Sequence, residues 1–102
     1  MTTLHTVNKS PFSHAALESC LRHAITGASI LLIEDAVYAA LSQTTFVDTI
    51  NSAMKNLSFY VLEPDLRARG YDQVQVIDGV KLIDYRGFVD LVVEHHSVQA
   101  WL

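Results

Sequence analysis

With one cysteine among its 102 residues, Cys20, the chain cannot close a disulfide on itself. It reads as a protein of a reducing compartment, and a cytoplasmic home is the expectation. Two prolines and four glycines leave little basis for linkers or low-complexity segments. Basic residues are scarce as well: seven Lys and Arg stand against eleven Asp and Glu, a net charge of −4. With its bases scattered, the chain lacks the patch that holds a phosphate backbone, so no direct nucleic-acid contact is expected. No apolar run approaches the roughly 20 residues of a membrane span. Met1-Thr2-Thr3-Leu4-His5 shows no basic segment followed by an apolar one, so no secretory leader is expected.

What the chain has in quantity is apolar residues, 50% of the total, the high end for a domain of this size. Such a surplus suggests a hydrophobic surface covered by another chain. The organising stretch is Ala28-Ser29-Ile30-Leu31-Leu32-Ile33, followed by Glu34-Asp35 and the Ala-rich Ala36–Leu41. Four consecutive branched residues without polar alternation fit a strand buried on both faces, as in the middle of a parallel sheet.

Other segments repeat that strand-then-helix order. Thr3–Val7 reads as a first strand, and Ser10 with Pro11 as the cap and first position of a helix running to about Ala24. On that helix Phe12, Ala16, Leu17, Cys20, Leu21 and Ala24 share the apolar half. A short helix over Ala36–Leu41 and another over Phe46–Met54 follow. Leu57–Leu62 is the third strand, Glu63–Gly70 a short helix and Val80–Ile83 the fourth strand, while Tyr71–Val76 is ambiguous. Asp84 caps a last helix, about Tyr85–His95, whose apolar arc is too wide for one sheet face to cover. Val98–Leu102 closes the chain as a docked strand or buried tail. The sum is a single-domain, three-layer α/β/α fold, with a mostly parallel sheet of about five strands and helices on both faces.

Candidate chemistry is sparse. Neither Gly-x-Gly-x-x-Gly nor Gly-x-x-x-x-Gly-Lys-[Ser/Thr] occurs, nor a Gly-x-Ser-x-Gly elbow. The acidic loop ends Glu34-Asp35, Glu63-Pro64-Asp65 and Asp84 could form a receiver-like phosphorylation pocket, or they could cap helices and solvate loops. The five histidines lack ligand spacing, and His95 and His96 are adjacent, pointing about 100° apart on a helix; no metal or cofactor is expected. Cys20 lies beyond the first turn of its helix, where the dipole would favour a thiolate. It is either a small buried hydrophobe or a sulfur-handling or interface thiol, with His23 and Ser19 as possible neighbours.

Several segments together resemble the TusB/DsrH family of sulfur-relay subunits. They are Leu4-His5-Thr6-Val7-Asn8-Lys9-Ser10-Pro11, Leu31-Leu32-Ile33-Glu34-Asp35-Ala36-Val37, Leu62–Gly70, Ile83–Leu91 and Val93-Glu94-His95-His96-Ser97-Val98-Gln99-Ala100-Trp101. The resemblance implies a single DsrEFH-like α/β domain over residues 1–102, without cofactor, in a cytoplasmic α2β2γ2 heterohexamer. Its partners would be DsrE/TusD-like and DsrF/TusC-like subunits and a DsrC/TusE-type sulfur carrier. It implies an accessory role, because the main reactive cysteine of the family belongs to the DsrE/TusD partner and no predicted strand here ends in cysteine. Cys20 is the candidate persulfide carrier in this chain, a feature of the DsrH branch. The expectation therefore leans towards intracellular sulfur oxidation, with TusB-type relay for 2-thiolation of the tRNA wobble uridine as the alternative.

Overall fold

Apolar and β-branched residues gather in five short runs, and each becomes a strand. The computed structural model describes residues 2–102. In it β1 (Thr3–Val7), β2 (Ser29–Leu32), β3 (Ser58–Leu62), β4 (Lys81–Ile83) and β5 (Ser97–Trp101) form one sheet in the order β4-β3-β2-β1-β5. Every pairing is parallel. One row across the sheet runs Trp101, Val7, Leu32, Val61, Leu82, and the next runs Ala100, Thr6, Leu31, Tyr60, Lys81. Adjacent rows point to opposite faces.

The two faces are covered unequally. Helices α1 (Ala16–His23), α2 (Val47–Ala53) and α3 (Glu63–Ala68), with a 3-10 segment over Glu34–Ala40, lie on the Val7 face. There Leu17, Cys20, Ile50 and Leu66 join Ile30, Leu32, Phe59 and Val61 in the main core. The opposite face has α4 (Tyr85–Glu94) alone, whose Leu91 packs on Leu4 and Leu31 beside Phe88, Tyr60 and Ile83. Connection handedness explains the imbalance. From β1 to β4 the chain steps steadily in one direction, and right-handed crossovers keep those helices on one side. The β4-to-β5 connection returns across the sheet, so the same hand puts α4 on the other side. The expected helices on both faces are present, but three to one.

Local chemistry sets the ends of the elements. Asp84 caps α4, its Oδ1 accepting the Gly87 N–H at 2.9 Å. Pro64 sits in the first turn of α3, and Gly70 beyond its end has φ +86°, a conformation that glycine adopts without strain. Tyr71–Val76 contains a 3-10 turn, Gln73–Gln75, closed by a capping box between Asp72 and Gln75.

The predicted start of the first helix needs correction. Ser10 closes a separate turn: its Oγ accepts the Phe12 N–H at 3.2 Å, and its carbonyl accepts the His14 N–H at 3.1 Å. The helix proper begins at Ala16 with no side-chain cap. Phe12, expected on the buried arc, is 58% exposed and meets Phe46 edge-on at 5.3 Å. The predicted short helix over Ala36–Leu41 is the 3-10 segment, beginning two residues earlier.

Candidate functional site

In an open α/β sheet the carboxyl ends of the strands are the first place to look for chemistry. Glu34, directly after β2, has φ +49°, and its N–H donates to Asp65 Oδ2 at 2.7 Å. Next to it Arg69 donates Nε and one terminal nitrogen to Asp35 Oδ1, at 3.0 and 2.9 Å, and its other terminal nitrogen to the Asp65 carbonyl at 3.0 Å. The acidic ends after β2 and β3 thus tie the 3-10 segment to α3. Lys81, on β4, stands 5.9 Å over the Tyr60 ring. The arrangement is a structural brace, and the receiver-like reading finds no aspartate–lysine pocket in it. Among the described residues, no three His, Cys, Asp or Glu side chains converge closely enough to hold a metal ion.

Cys20 sits on the inner side of α1, in the main core, with 0% of its surface exposed. Burial pushes its thiol up to about 12, which keeps the sulfur protonated and shielded at neutral pH. The neighbours expected for it face elsewhere. His23 Nδ1–H donates to the Ser19 carbonyl at 2.7 Å, and the Ser19 hydroxyl meets Arg22 at 3.3 Å. The burial that raises the Cys20 pKa comes from α1 facing the sheet.

Two features face outward instead. On α4, Tyr85, Val89, Val92 and Val93 are exposed around the buried Leu91, with Val89 at 61% and Val93 at 77%. Val98 of β5, 48% exposed, pairs in register with Leu4 and therefore points to the same face. The second feature is a groove of about 410 Å³ between Phe12, Tyr38, Leu41, Tyr71 and Val74, edged by Ser42, Gln43, Thr44 and Gln75. Its wall includes an edge-to-face pair, Tyr38 and Tyr71, 6.1 Å apart. The wide arc of α4 was legible in the sequence. The groove was not, because it joins the turn at Phe12, the 3-10 segment with the loop after it, and the Tyr71–Gln75 connection, which no periodicity relates.

A family profile described as "DsrH like protein" matches residues 9–98. The chain belongs to the DsrH-like family. It is 42% identical over 99 residues to Protein TusB of Pectobacterium parmentieri, covering 96% of this chain and 99% of that one. Protein TusB of Yersinia pestis (strain Pestoides F) is 40% identical over the same span. The crystal structure of the ychN protein from E. coli superposes with a TM-score of 0.79, covering 98% of this chain and 99% of that one at 18% identity. At that identity the likeness concerns the fold alone, the same α/β architecture. The exposed α4 face and the buried Cys20 are thus features of a DsrH-like chain that matches these relatives over nearly its whole length.

Proposed function

We propose that this chain is the TusB-type subunit of a sulfur-relay assembly that serves 2-thiolation of the tRNA wobble uridine. The identity of 42% to a TusB protein across nearly the full length of both chains carries the reading. Within that assembly the chain contributes surface rather than a nucleophile. Its one thiol is enclosed in the core, while α4 and β5 present Val89, Val93 and Val98 outward. The partners are DsrE/TusD-like and DsrF/TusC-like subunits in a cytoplasmic α2β2γ2 heterohexamer, which passes persulfide sulfur to a DsrC/TusE-type carrier. Among the described residues, no helix is long and apolar enough to cross a membrane.

Deleting the coding sequence and measuring wobble-uridine thiolation by mass spectrometry of hydrolysed tRNA tests this reading. The expected result is loss of the 2-thio modification, restored by the wild-type chain and equally by a folded Cys20→Ala variant. Unchanged thiolation would contradict it.

A second reading, the intracellular sulfur-oxidation branch, is favoured by the presence of Cys20. It requires the sulfur to reach solvent and accept a persulfide. Incubation of the assembled complex with a persulfide donor, followed by intact-mass measurement, separates the two. A gain of one sulfur on Cys20 would favour the oxidation branch, and an unmodified chain the TusB role.

A further inference from the structure

Four of the five histidines gather where β5 meets the rest of the sheet, and two of them accept hydrogen bonds from groups that can only donate. Trp101 Nε1–H donates to His5 Nδ1 at 3.0 Å, and the Trp101 ring lies between the rings of His5 and His23, at 6.1 and 5.7 Å. At the other end of the strand, the Thr2 N–H donates to His96 Nδ1 at 3.2 Å. An indole and a backbone amide can only donate, so both imidazoles must be neutral, with the proton on Nε2. His23 and His95 differ: their Nδ1–H groups donate to the carbonyls of Ser19 and Leu91, bonds that survive either charge state.

We propose that His5 and His96 form a proton-sensitive latch on β5, which holds the strand against β1 while both rings are neutral and loosens it when they are protonated. Protonation turns each acceptor into a donor facing a donor. His5 is the stronger element because it is buried, and burial alone holds its pKa below the ordinary value. The groups around it offer an imidazolium no counter-charge. From β5 come Gln99 and Trp101, from β2 Ile30, from α1 His23, and from the loop before β2 Thr26 and Ala28. The Cys20 thiol on α1 is neutral. An open cleft of about 150 Å³ beside His5 gives the proton a path. His96 is exposed. Among the described residues its other close polar neighbour is Thr2 Oγ1, which at 3.5 Å is too distant to replace the lost bond. Because β5 is the edge strand and Val98 lies on the α4 face, the latch sets the order of the outward apolar surface.

Amide hydrogen exchange of the full chain, read by NMR from about pH 7.5 down to about pH 4.5, through the ordinary histidine range and below it because burial lowers the His5 pKa, tests the latch. Protection factors corrected for intrinsic exchange are expected to fall about tenfold at Gln99 and Trp101, whose amides, like that of Ser97, point to β1, while those of β2 and β3 hold. In the double variant His5→Asn, His96→Asn, an amide oxygen can stand near the place of Nδ1 without titrating, and β5 protection should stay level. A wild-type β5 that keeps its protection relative to β2, or a variant that loses it as the wild type does, would overturn the proposal. Imidazole nitrogen shifts in the wild type give a second readout that depends on no substitution. Nε2–H tautomers at His5 and His96 at the higher pH are expected, and an Nδ1–H tautomer at His5 would refute the latch.

Discussion

Arg69, near the end of α3, and Asp35, in the 3-10 segment after β2, are joined by two nitrogens on one carboxylate oxygen, at 3.0 and 2.9 Å. With the bond from the Glu34 N–H to Asp65, this link converts two acidic loops into a brace between neighbouring crossovers. Asp35 is open to water, which weakens its ion pair, but Arg69 also holds the Asp65 carbonyl. Arg69→Ala should therefore lower stability by about 1–2 kcal/mol. Urea denaturation would show this as a lower midpoint at unchanged slope. A midpoint equal to wild type would mean that the brace contributes nothing.

Gly87 offers a sharper test because two effects oppose each other. Alanine gains about 1 kcal/mol in helix propensity over glycine. A Cβ at Gly87, however, would lie 2.9 Å from Ile83 Cβ, at the first turn of α4 where it leaves β4. Close packing against a branched side chain costs roughly 1–3 kcal/mol, so Gly87→Ala should be destabilising by about 1 kcal/mol. A thermal midpoint above wild type would show that α4 shifts at no cost.

Cys20 should behave as a packing residue in the folded chain. Cys20→Ser places a hydroxyl in an apolar site and should cost about 1–3 kcal/mol, more than Cys20→Ala. Burial raises the folded pKa from the ordinary 9.0 to about 12, so the folded state retains a proton that the unfolded state releases. Stability should then fall as pH rises from 9.0 towards 12. Below that window the thiol makes stability neither rise nor fall. Urea midpoints along an alkaline pH series, wild type against Cys20→Ala, measure it. Identical slopes in the two proteins would contradict a buried thiol.

The sequence disclosed what is local. Ala28–Ile33 announced a doubly covered strand, Asp84 its cap, and Pro64 and Gly70 the two ends of α3, because each signal lies within one turn of the residue it governs. Ser10-Pro11 misled for the same reason: it closes a turn that looks locally like a helix start, and tertiary packing delays α1 to Ala16. Which face each helix takes follows from sheet order, which pairing distant strands decides. The bond between His5 and Trp101 spans 96 positions, and no pattern of spacing reveals it. For Cys20 the wheel position already placed the sulfur on the apolar arc. The fold supplied the depth.

The exposed valines of α4 and β5 should matter little to the isolated chain. Val93→Asp replaces a side chain that is 77% exposed, and its effect on stability should stay within about 0.5 kcal/mol. A large loss in the urea midpoint would mean that Val93 is packed within the chain itself. If the midpoint holds while pull-down of the proposed partner subunits weakens, the face acts between chains.

On the proposed function, this chain joins its assembly through the α4 and β5 face. The most direct measurement is multi-angle light scattering of the chain mixed with the proposed TusC-like and TusD-like subunits, repeated with Val89→Asp, Val93→Asp. One particle of heterohexameric mass that contains all three chains is expected, and it should be lost with the double variant. A wild-type chain that elutes as a separate monomer beside these subunits would contradict it.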